Sequence, residues 1–197
     1  MKRFVSTGTF KPTAANLNYS ANQTLSNAAT IKLGTGGSNA GKVSLFNGQV
    51  SGNADYIADA NGWFRSGTAA VAGAFTPLDP IRILDTRDGT GQNGATVRVP
   101  ANDSITLVVA GAGGVPASDA GAVVFNLAVT GDPAGGYVTV HPANVSTPTA
   151  ANLNFVANET ISNLVTVKLS ADGRVKLFNG STQPIDLIAD IAGWYKN

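Results

Sequence analysis

The sequence predicts an all-β fold, an antiparallel β-sandwich with a jelly-roll-like number of strands, built from tandem related units. Three observations carry that expectation. First, Gly 23 and Pro 9 are plentiful and Thr, Val, Ala and Asn are common, a mixture that strands and tight turns use and helices do not. Second, apolar residues alternate with period two rather than 3.6, as in Leu164 to Leu169, where Val165, Val167 and Leu169 alternate with Leu164, Thr166 and Lys168. Third, the chain repeats itself.

The repeat sets the domain organisation. Thr13 to Leu33 reads TAANLNYSANQTLSNAATIKL and Thr149 to Leu169 reads TAANLNFVANETISNLVTVKL, identical at 14 of 21 positions. The match continues from Val43–Gly48 to Val175–Gly180, and from Asp55–Asp59 and Gly62–Trp63 to Asp186–Asp190 and Gly193–Trp194. Its one length change replaces Ser170–Gly173 by Gly34–Gly41, a Gly-rich stretch of the kind that hairpin tips tolerate. The stretch from about Thr76 to about Val140 has no counterpart earlier in the chain. Residues 1–66 therefore read as the back half of a unit, 67–76 as a small-residue linker and 77–197 as a complete unit.

In chain order, the expected strands of the complete unit are Ile81–Leu84, Thr96–Val99, Ser104–Val109, Ala122–Val129, Tyr137–His141, Ala151–Val156, Leu164–Leu169, Arg174–Phe178 and Ile185–Ile191. Turn signals at Asp88-Gly89, Gly131-Asp132-Pro133, Asp172-Gly173 and Asn179-Gly180 separate them. Leu153, Phe155, Val165, Val167, Leu177 and Ile188 are expected in its core. Leu17, Tyr19, Ala29, Ile31, Leu45 and Ile57 are expected at matching places in the first unit. Ala29 in place of Val165 should leave that unit less stable by about 1–2 kcal/mol at this position.

The second unit resembles a repeat common in secreted proteins of actinobacteria and other soil bacteria. The matching residues are Arg82-Ile83-Leu84-Asp85-Thr86-Arg87, Val115-Pro116-Ala117, Asn126-Leu127-Ala128-Val129, Ala151 to Phe155, Asn163 to Lys168 and Asp186 to Tyr195. The resemblance spans Pro77 to Tyr195 and, for the back half, Thr13 to Phe64. It implies an accessory module beside secreted hydrolases and surface proteins, extracellular or on the cell surface, with no catalytic residues to carry over.

Composition narrows the function classes. Charged residues are 13%, about half the usual share, and the net charge is +1 with no basic stripe, which argues against nucleic-acid binding. With no Cys, disulfides and thiol chemistry are absent. No apolar run approaches the ~18 residues of a spanning helix, so membrane insertion is not expected. Met1-Lys2-Arg3 resembles the start of a signal peptide, but Val5 to Thr13 is too polar to continue one, so the chain reads as a mature fragment or as exported by a signal elsewhere.

Catalytic chemistry finds little material. His141 is the only histidine and reads as a surface residue, and Glu159 is the only glutamate. No nucleophile-elbow or phosphate-loop pattern is present. No enzyme activity and no cofactor are expected. Asp85, Asp88 and Thr90 are the only calcium candidates, in a loop where Arg87 occupies a ligand position, and a turn closed by Asp side chains is the plainer reading.

Two further groups stand out. Trp63 and Phe64, and likewise Trp194 and Tyr195, close each unit. Strict alternation puts Trp194 on the face of Ile188 and Asp190, with Tyr195 beside Leu187 and Ile191. One aromatic of each pair is expected in the core and the other at an interface or stacked on a sugar. Asn18, Lys32 and Asp59 recur as Asn154, Lys168 and Asp190, a polar cluster in which Asp190 would answer Lys168. A Lys–Asn isopeptide bond is a further reading of that cluster.

The function expected is a non-catalytic structural or adhesive module. A carbohydrate- or cell-wall-binding module and a subunit of a filament, sheath or phage-like assembly are the alternatives. Partners would be a glycan, a cell-wall surface or neighbouring subunits of a homo-oligomer or polymer. Because Ala28 and Ala29 replace Leu164 and Val165, the half-unit is expected to dock on the full unit of the same chain, with completion by another chain as the rival.

Overall fold

The computed structural model describes residues 2–6, 14–21, 23–49, 51–60, 62–64, 67 and 70–197, with side chains from residue 14 onward. The polar stretch after the signal-like start, residues 7–13, Ser66 at the end of the first unit, and the linker residues Thr68 and Ala69 lie outside the described residues.

Two four-stranded antiparallel sheets face each other as a β-sandwich. In chain order the strands are β1 (Lys2–Ser6), β2 (Val43–Asn47), β3 (Phe75–Asp85), β4 (Ser104–Val108), β5 (Ala120–Thr130), β6 (Gly136–Pro142), β7 (Leu153–Phe155), β8 (Ile161–Lys168), β9 (Arg174–Asn179) and β10 (Asp186–Lys196). One sheet has the order β3-β10-β5-β8 and the other β4-β9-β6-β7, while β1 and β2 pair separately. One short 3₁₀ turn, Gly37–Asn39, sits in the first half.

Alternation builds the interior. β8 buries Val165 and Val167 while Thr166 and Lys168 face water, and β9 likewise buries Val175 and Leu177. Leu84, Phe125, Leu127, Leu187 and Ile191 of the first sheet join them, with Leu107, Val138 and Leu153 of the second, in one apolar cluster. Each such side chain contributes about 1.5–3 kcal/mol by leaving water. The expected core residues Leu153, Phe155, Val165, Val167 and Leu177 belong to this cluster. Ile188 is also buried, but on the other face of its sheet, in register with Ala128.

The expected strands match the observed ones closely, except Thr96–Val99. There only Val99 pairs, through reciprocal bonds with Ile185 of 2.9 and 3.1 Å, and Val97 is exposed. Side chains also hold this segment: Arg98 pairs with Asp186 at 3.2 Å, and Asn179 Nδ2 donates to the Val99 carbonyl at 3.1 Å.

β5 and β10 break the alternation that a two-layer sandwich imposes. Val123 to Val129 and Leu187 to Gly193 are buried without interruption. Such runs belong to strands covered on both faces. The second cover comes from the first half of the chain: Ala14 to Asn18 are all buried, and Ala15 and Asn16 hydrogen-bond to Asp190, Asn126 and Ser162 on the outer face of the β3-β10-β5-β8 sheet.

The aligned parts of the two halves share local geometry. Under the sequence alignment Phe4↔Leu45 corresponds to Val140↔Leu177, and all five β1–β2 pairs correspond in the same way to β6–β9 pairs. Asn27 Nδ2 donates to the Asn16 carbonyl at 2.7 Å, as Asn163 does to Asn152 at 2.8 Å. Ser20 N donates to Gln23 Oε1 as Val156 N donates to Glu159 Oε2. Gly41 and Gly173, each at φ 72°, close the corresponding hairpins.

The buried positions do not correspond. Leu17 is buried, but Tyr19 and Ile31 are only half-buried, and Ala29, Leu45 and Ile57 are exposed. The expectation of a matching core in the first unit is therefore overturned. The two methyls missing at Ala29 carry no packing penalty there, because that position faces water. The docking also differs from expectation: the asparagine-rich stretch 14–18 makes it, while Ala28 and Ala29 stay exposed.

Candidate functional site

Where the first half meets the sandwich, a buried polar network forms. Asp190 sits on the outer face of β10, 3% exposed, in register with Asn126 of β5 and Arg82 of β3. Arg82 Nε donates to Asp190 Oδ1 at 2.9 Å, and Ala15 N donates to Asp190 Oδ2 at 2.9 Å. Asn126 Nδ2 donates to the Ala15 carbonyl, and its Oδ1 accepts from Asn27 Nδ2 at 2.9 Å. Asn27 Oδ1 accepts from Leu164 N at 3.1 Å, so a side chain of the first half occupies a main-chain donor of β8. Buried amides and carboxylates need partners, and here each supplies the other's.

A second cluster continues from it. Arg82 Nη1 reaches Asp85 Oδ2 at 3.0 Å, and Arg87 grips the same carboxylate through Nε at 2.8 Å and Nη2 at 2.7 Å. The hydrogen bonds from Arg87 hold the Asp85 carboxyl below the usual carboxylate range despite its burial. Thr86 Oγ1 donates to Asp186 Oδ1 at 2.7 Å and accepts from Leu187 N at 3.1 Å. The Arg82–Arg87 segment and the Asp186–Asp190 segment, the two most recognisable pieces of the sequence pattern, are thus each other's partners.

This geometry revises several expected roles. Asp85 is committed to two guanidiniums, and Asp88 Oδ1 accepts from Thr90 N at 2.9 Å in a tight turn. Asp85 and Thr90 meet through a main-chain bridge, in which Asp85 N donates to the Thr90 carbonyl at 3.0 Å. Among the described residues no group of three His, Cys, Asp or Glu side chains is placed to hold a metal ion.

The expected polar cluster is not assembled as one unit. Lys168 is exposed in the row of Ala122, four residues along β5 from Asn126, roughly 13 Å from Asp190's row, and Arg82 takes the role expected of it. Asn154 lies exposed in the other sheet opposite Tyr137, which removes the geometry for a Lys–Asn bond to Lys168. Asn18 is buried, Lys32 pairs with Asp79 at 3.1 Å, and Asp59 is exposed.

The aromatics are also rearranged. A bulge between Ile191 and Gly193 shifts the phase of β10. Trp194 consequently falls in register with core Val123 and packs on the core, while Tyr195 turns to the outer face. There Tyr195 joins Phe75 at 4.9 Å, and Phe75 joins Phe64 at 4.4 Å. Trp63 stands 86% exposed. His141, expected at the surface, is buried, with Nδ1 3.0 Å from the Pro142 carbonyl and Nε2 3.3 Å from Thr147 Oγ1.

An open cleft of about 880 Å³ lies between the Gly89–Gly94 turn, β4 and the Gly111–Gly113 turn. Its one charged side chain, Arg82, is already held by Asp85 and Asp190. No nucleophile–base pair lines it.

Arg82, Asn126 and Asn27 were not singled out from the sequence, although a signal existed. Asn126 is the one polar side chain inside the apolar run from Val123 to Val129, and a lone amide in such a run demands a partner. Neither a family model nor a curated protein matches the chain.

Proposed function

We propose that the chain is a non-catalytic structural or adhesive module of the extracellular or cell-surface type, related to the bacterial repeat that its second unit resembles. One observation carries this reading: the buried and half-buried polar side chains of Arg82, Asp85, Asp190, Asn126 and His141 are engaged with other parts of the chain. Arg82, Asp85 and Asp190 join β3 to β10 and to Ala15, Asn126 joins β5 to the first half, and the imidazole of His141 lies against Pro142 and Thr147. On this reading the paired arginines and aspartates rigidify a body that acts by contact, and tandem units are its building pattern.

A carbohydrate- or cell-wall-binding role is the second reading, favoured by the exposure of Trp63, since a free indole face stacks on sugar rings. Co-sedimentation with peptidoglycan sacculi, chitin and cellulose separates the two. The structural reading expects no saturable retention on any of these. Saturable retention abolished by Trp63→Ala would replace it with the glycan-binding reading. Turnover of glycan, peptide or ester substrates that His141→Ala or Asp190→Asn removes without unfolding the chain would overturn both.

A further inference from the structure

Two Asp–Pro bonds occur in the chain, Asp79-Pro80 and Asp132-Pro133. Such a bond joins two chemical properties. Its nitrogen belongs to a tertiary amide without an N–H and leaves as a secondary amine. The side chain before it carries a carboxyl that can close a five-membered ring on its own main-chain carbonyl. The two bonds sit in different surroundings. Asp79-Pro80 lies within β3, where the partly exposed Asp79 carboxylate pairs with Lys32 Nζ at 3.1 Å. Asp132-Pro133 lies in the loop between β5 and β6, where Asp132 is 1% exposed.

Main-chain donors grip Asp132 from two sides. Its carbonyl oxygen accepts from Asn158 N at 2.7 Å, and Oδ1 accepts from Ala134 N at 2.6 Å and Gly135 N at 3.3 Å. Arg98 Nη2 donates to the carbonyl of the preceding Gly131, so the approach to the bond is anchored as well. Oδ2 is buried and meets no donor among the described residues. A buried carboxyl oxygen without a donor is costly, and natural structures keep such atoms where they serve chemistry or store strain. Pro133, on the other side of the bond, is exposed to water.

We propose that the fold makes Asp132–Pro133 a self-cleaving bond, with Asp132 Oδ2 as the nucleophile. Oδ2 of the carboxylic acid bonds to the Asp132 carbonyl carbon and closes the five-membered ring, while the Asn158 N–H steadies the charge that develops on the carbonyl oxygen. The carbon–nitrogen bond to Pro133 breaks, and the proton of the Asp132 carboxyl passes to the Pro133 nitrogen. One water then opens the cyclic anhydride. The products are residues 1–132, ending in an aspartate with two carboxyls, and residues 133–197, beginning with Pro133. The cut leaves the sandwich joined, because the β3–β10, β5–β10, β5–β8 and β4–β9 ladders all connect the two pieces. Cleavage turns the β5–β6 loop into two chain ends. This property goes beyond the contact role proposed above and does not depend on it.

The test follows the purified full chain at about pH 5, within the range where folds are generally most stable, with protease inhibitors present. Mass spectrometry under denaturing conditions reads cleavage at both Asp–Pro bonds, and far-ultraviolet circular dichroism reads the fold. One well-placed donor at a developing oxyanion is worth about 10²–10³ in rate, so the folded chain should be cut at Asp132-Pro133 at least about tenfold faster than at Asp79-Pro80. In urea sufficient to unfold the chain those donors are gone, and the two rates should come within about threefold of each other. Asp132→Asn should lose the cut at 132–133 and keep any at 79–80. A folded chain left uncut at Asp132-Pro133 overturns the inference. So does a preference for this bond that is equal in the folded and unfolded chain, which traces it to the neighbouring residues rather than to the fold. Cleavage that persists in Asp132→Asn assigns the cut to water or a protease and overturns it too. If Asp132→Asn does not fold, Pro133→Ala keeps the carboxyl, removes the tertiary amide and should slow the cut by at least about tenfold, and undiminished cleavage there is equally fatal. Co-sedimentation with glycans reads none of these events, so the two readings fall separately.

Discussion

Arg82 and Arg87 face Asp85 and Asp190, so two positive and two negative side chains cancel in a largely buried cluster. Breaking such a cluster costs more than it contributes when whole, because the remaining charges stay away from water. The Asp85 carboxyl titrates below its ordinary range, near 3.9 in an unfolded chain. Its contribution is therefore full above that ordinary value and is lost as pH falls through the lower, folded value. Urea midpoints measured from pH 6 to pH 2 should fall below about pH 5 in the wild type and fall less in Asp85→Asn, which should already be weaker at neutral pH by about 1–3 kcal/mol. Equal slopes in the two proteins would place the acid sensitivity elsewhere. A second contrast separates the halves at aligned glycines. A Cβ on Gly193 would lie 2.3 Å from Phe75 Cζ and 2.7 Å from the Thr76 carbonyl, whereas one on Gly62 would meet nothing within 4 Å. Gly193→Ala should cost about 1–3 kcal/mol in thermal or urea unfolding, and Gly62→Ala should stay within about 0.5 kcal/mol.

Among the elements, β5 is the one whose surroundings set the architecture. It pairs with β8 and β10 within its sheet, its odd-numbered residues 123–129 build the core, and Asn126 holds Ala15 and Asn27 above it. Asn126→Ala removes both bonds, taking the side-chain donor from the buried Ala15 carbonyl and leaving the Asn27 amide with the Asn16 carbonyl alone, which should cost about 1–3 kcal/mol. Hydrogen exchange should then accelerate at residues 14–18 while β6 and β9 keep their protection. Unchanged exchange at 14–18 would mean that Asn126 does not hold the first half down. In the unaltered chain, residues 149–195 should be better protected than 14–64, as their burial requires. The sandwich was legible in the sequence because its strands alternate cleanly and its turns carry Asp-Gly and Asn-Gly. The face of Trp194 was not, because a bulge at Gly193 shifts the phase by one residue and alternation cannot register it. The partner of Asp190 was misread for a related reason. Lys168 shares its sheet, but strand order places Arg82 beside it instead, and order across a sheet leaves no local trace in the sequence.

At the scale of the whole molecule, the first half is a cover for the sandwich rather than a second body with its own core. Its buried residues Ala14 to Asn18 close over Asp190, Asn126 and Ser162, while Ile57 and Trp63 remain in water. The sandwich has both sheets and its whole apolar cluster without that cover, since all 23 cluster residues lie between Ile83 and Ile191. Deleting residues 1–66 should therefore leave a folded protein with the same far-ultraviolet signature. It should also uncover Ile188, Ala192 and Asn126 and leave the Asp190 carboxylate with one hydrogen-bond donor fewer. Those exposed groups act in two ways. The apolar ones raise the tendency to associate through the outer face of the β3-β10-β5-β8 sheet. The uncovered asparagine and aspartate gain water in place of Ala15 and Asn27, which limits the loss of stability to the packing and bonds that the cover supplied. The expected outcome is a truncated chain that unfolds at lower urea than its parent and loses solubility or forms dimers in light scattering. A truncated chain matching its parent in urea midpoint, solubility and mass would show that residues 14–18 cover nothing of consequence.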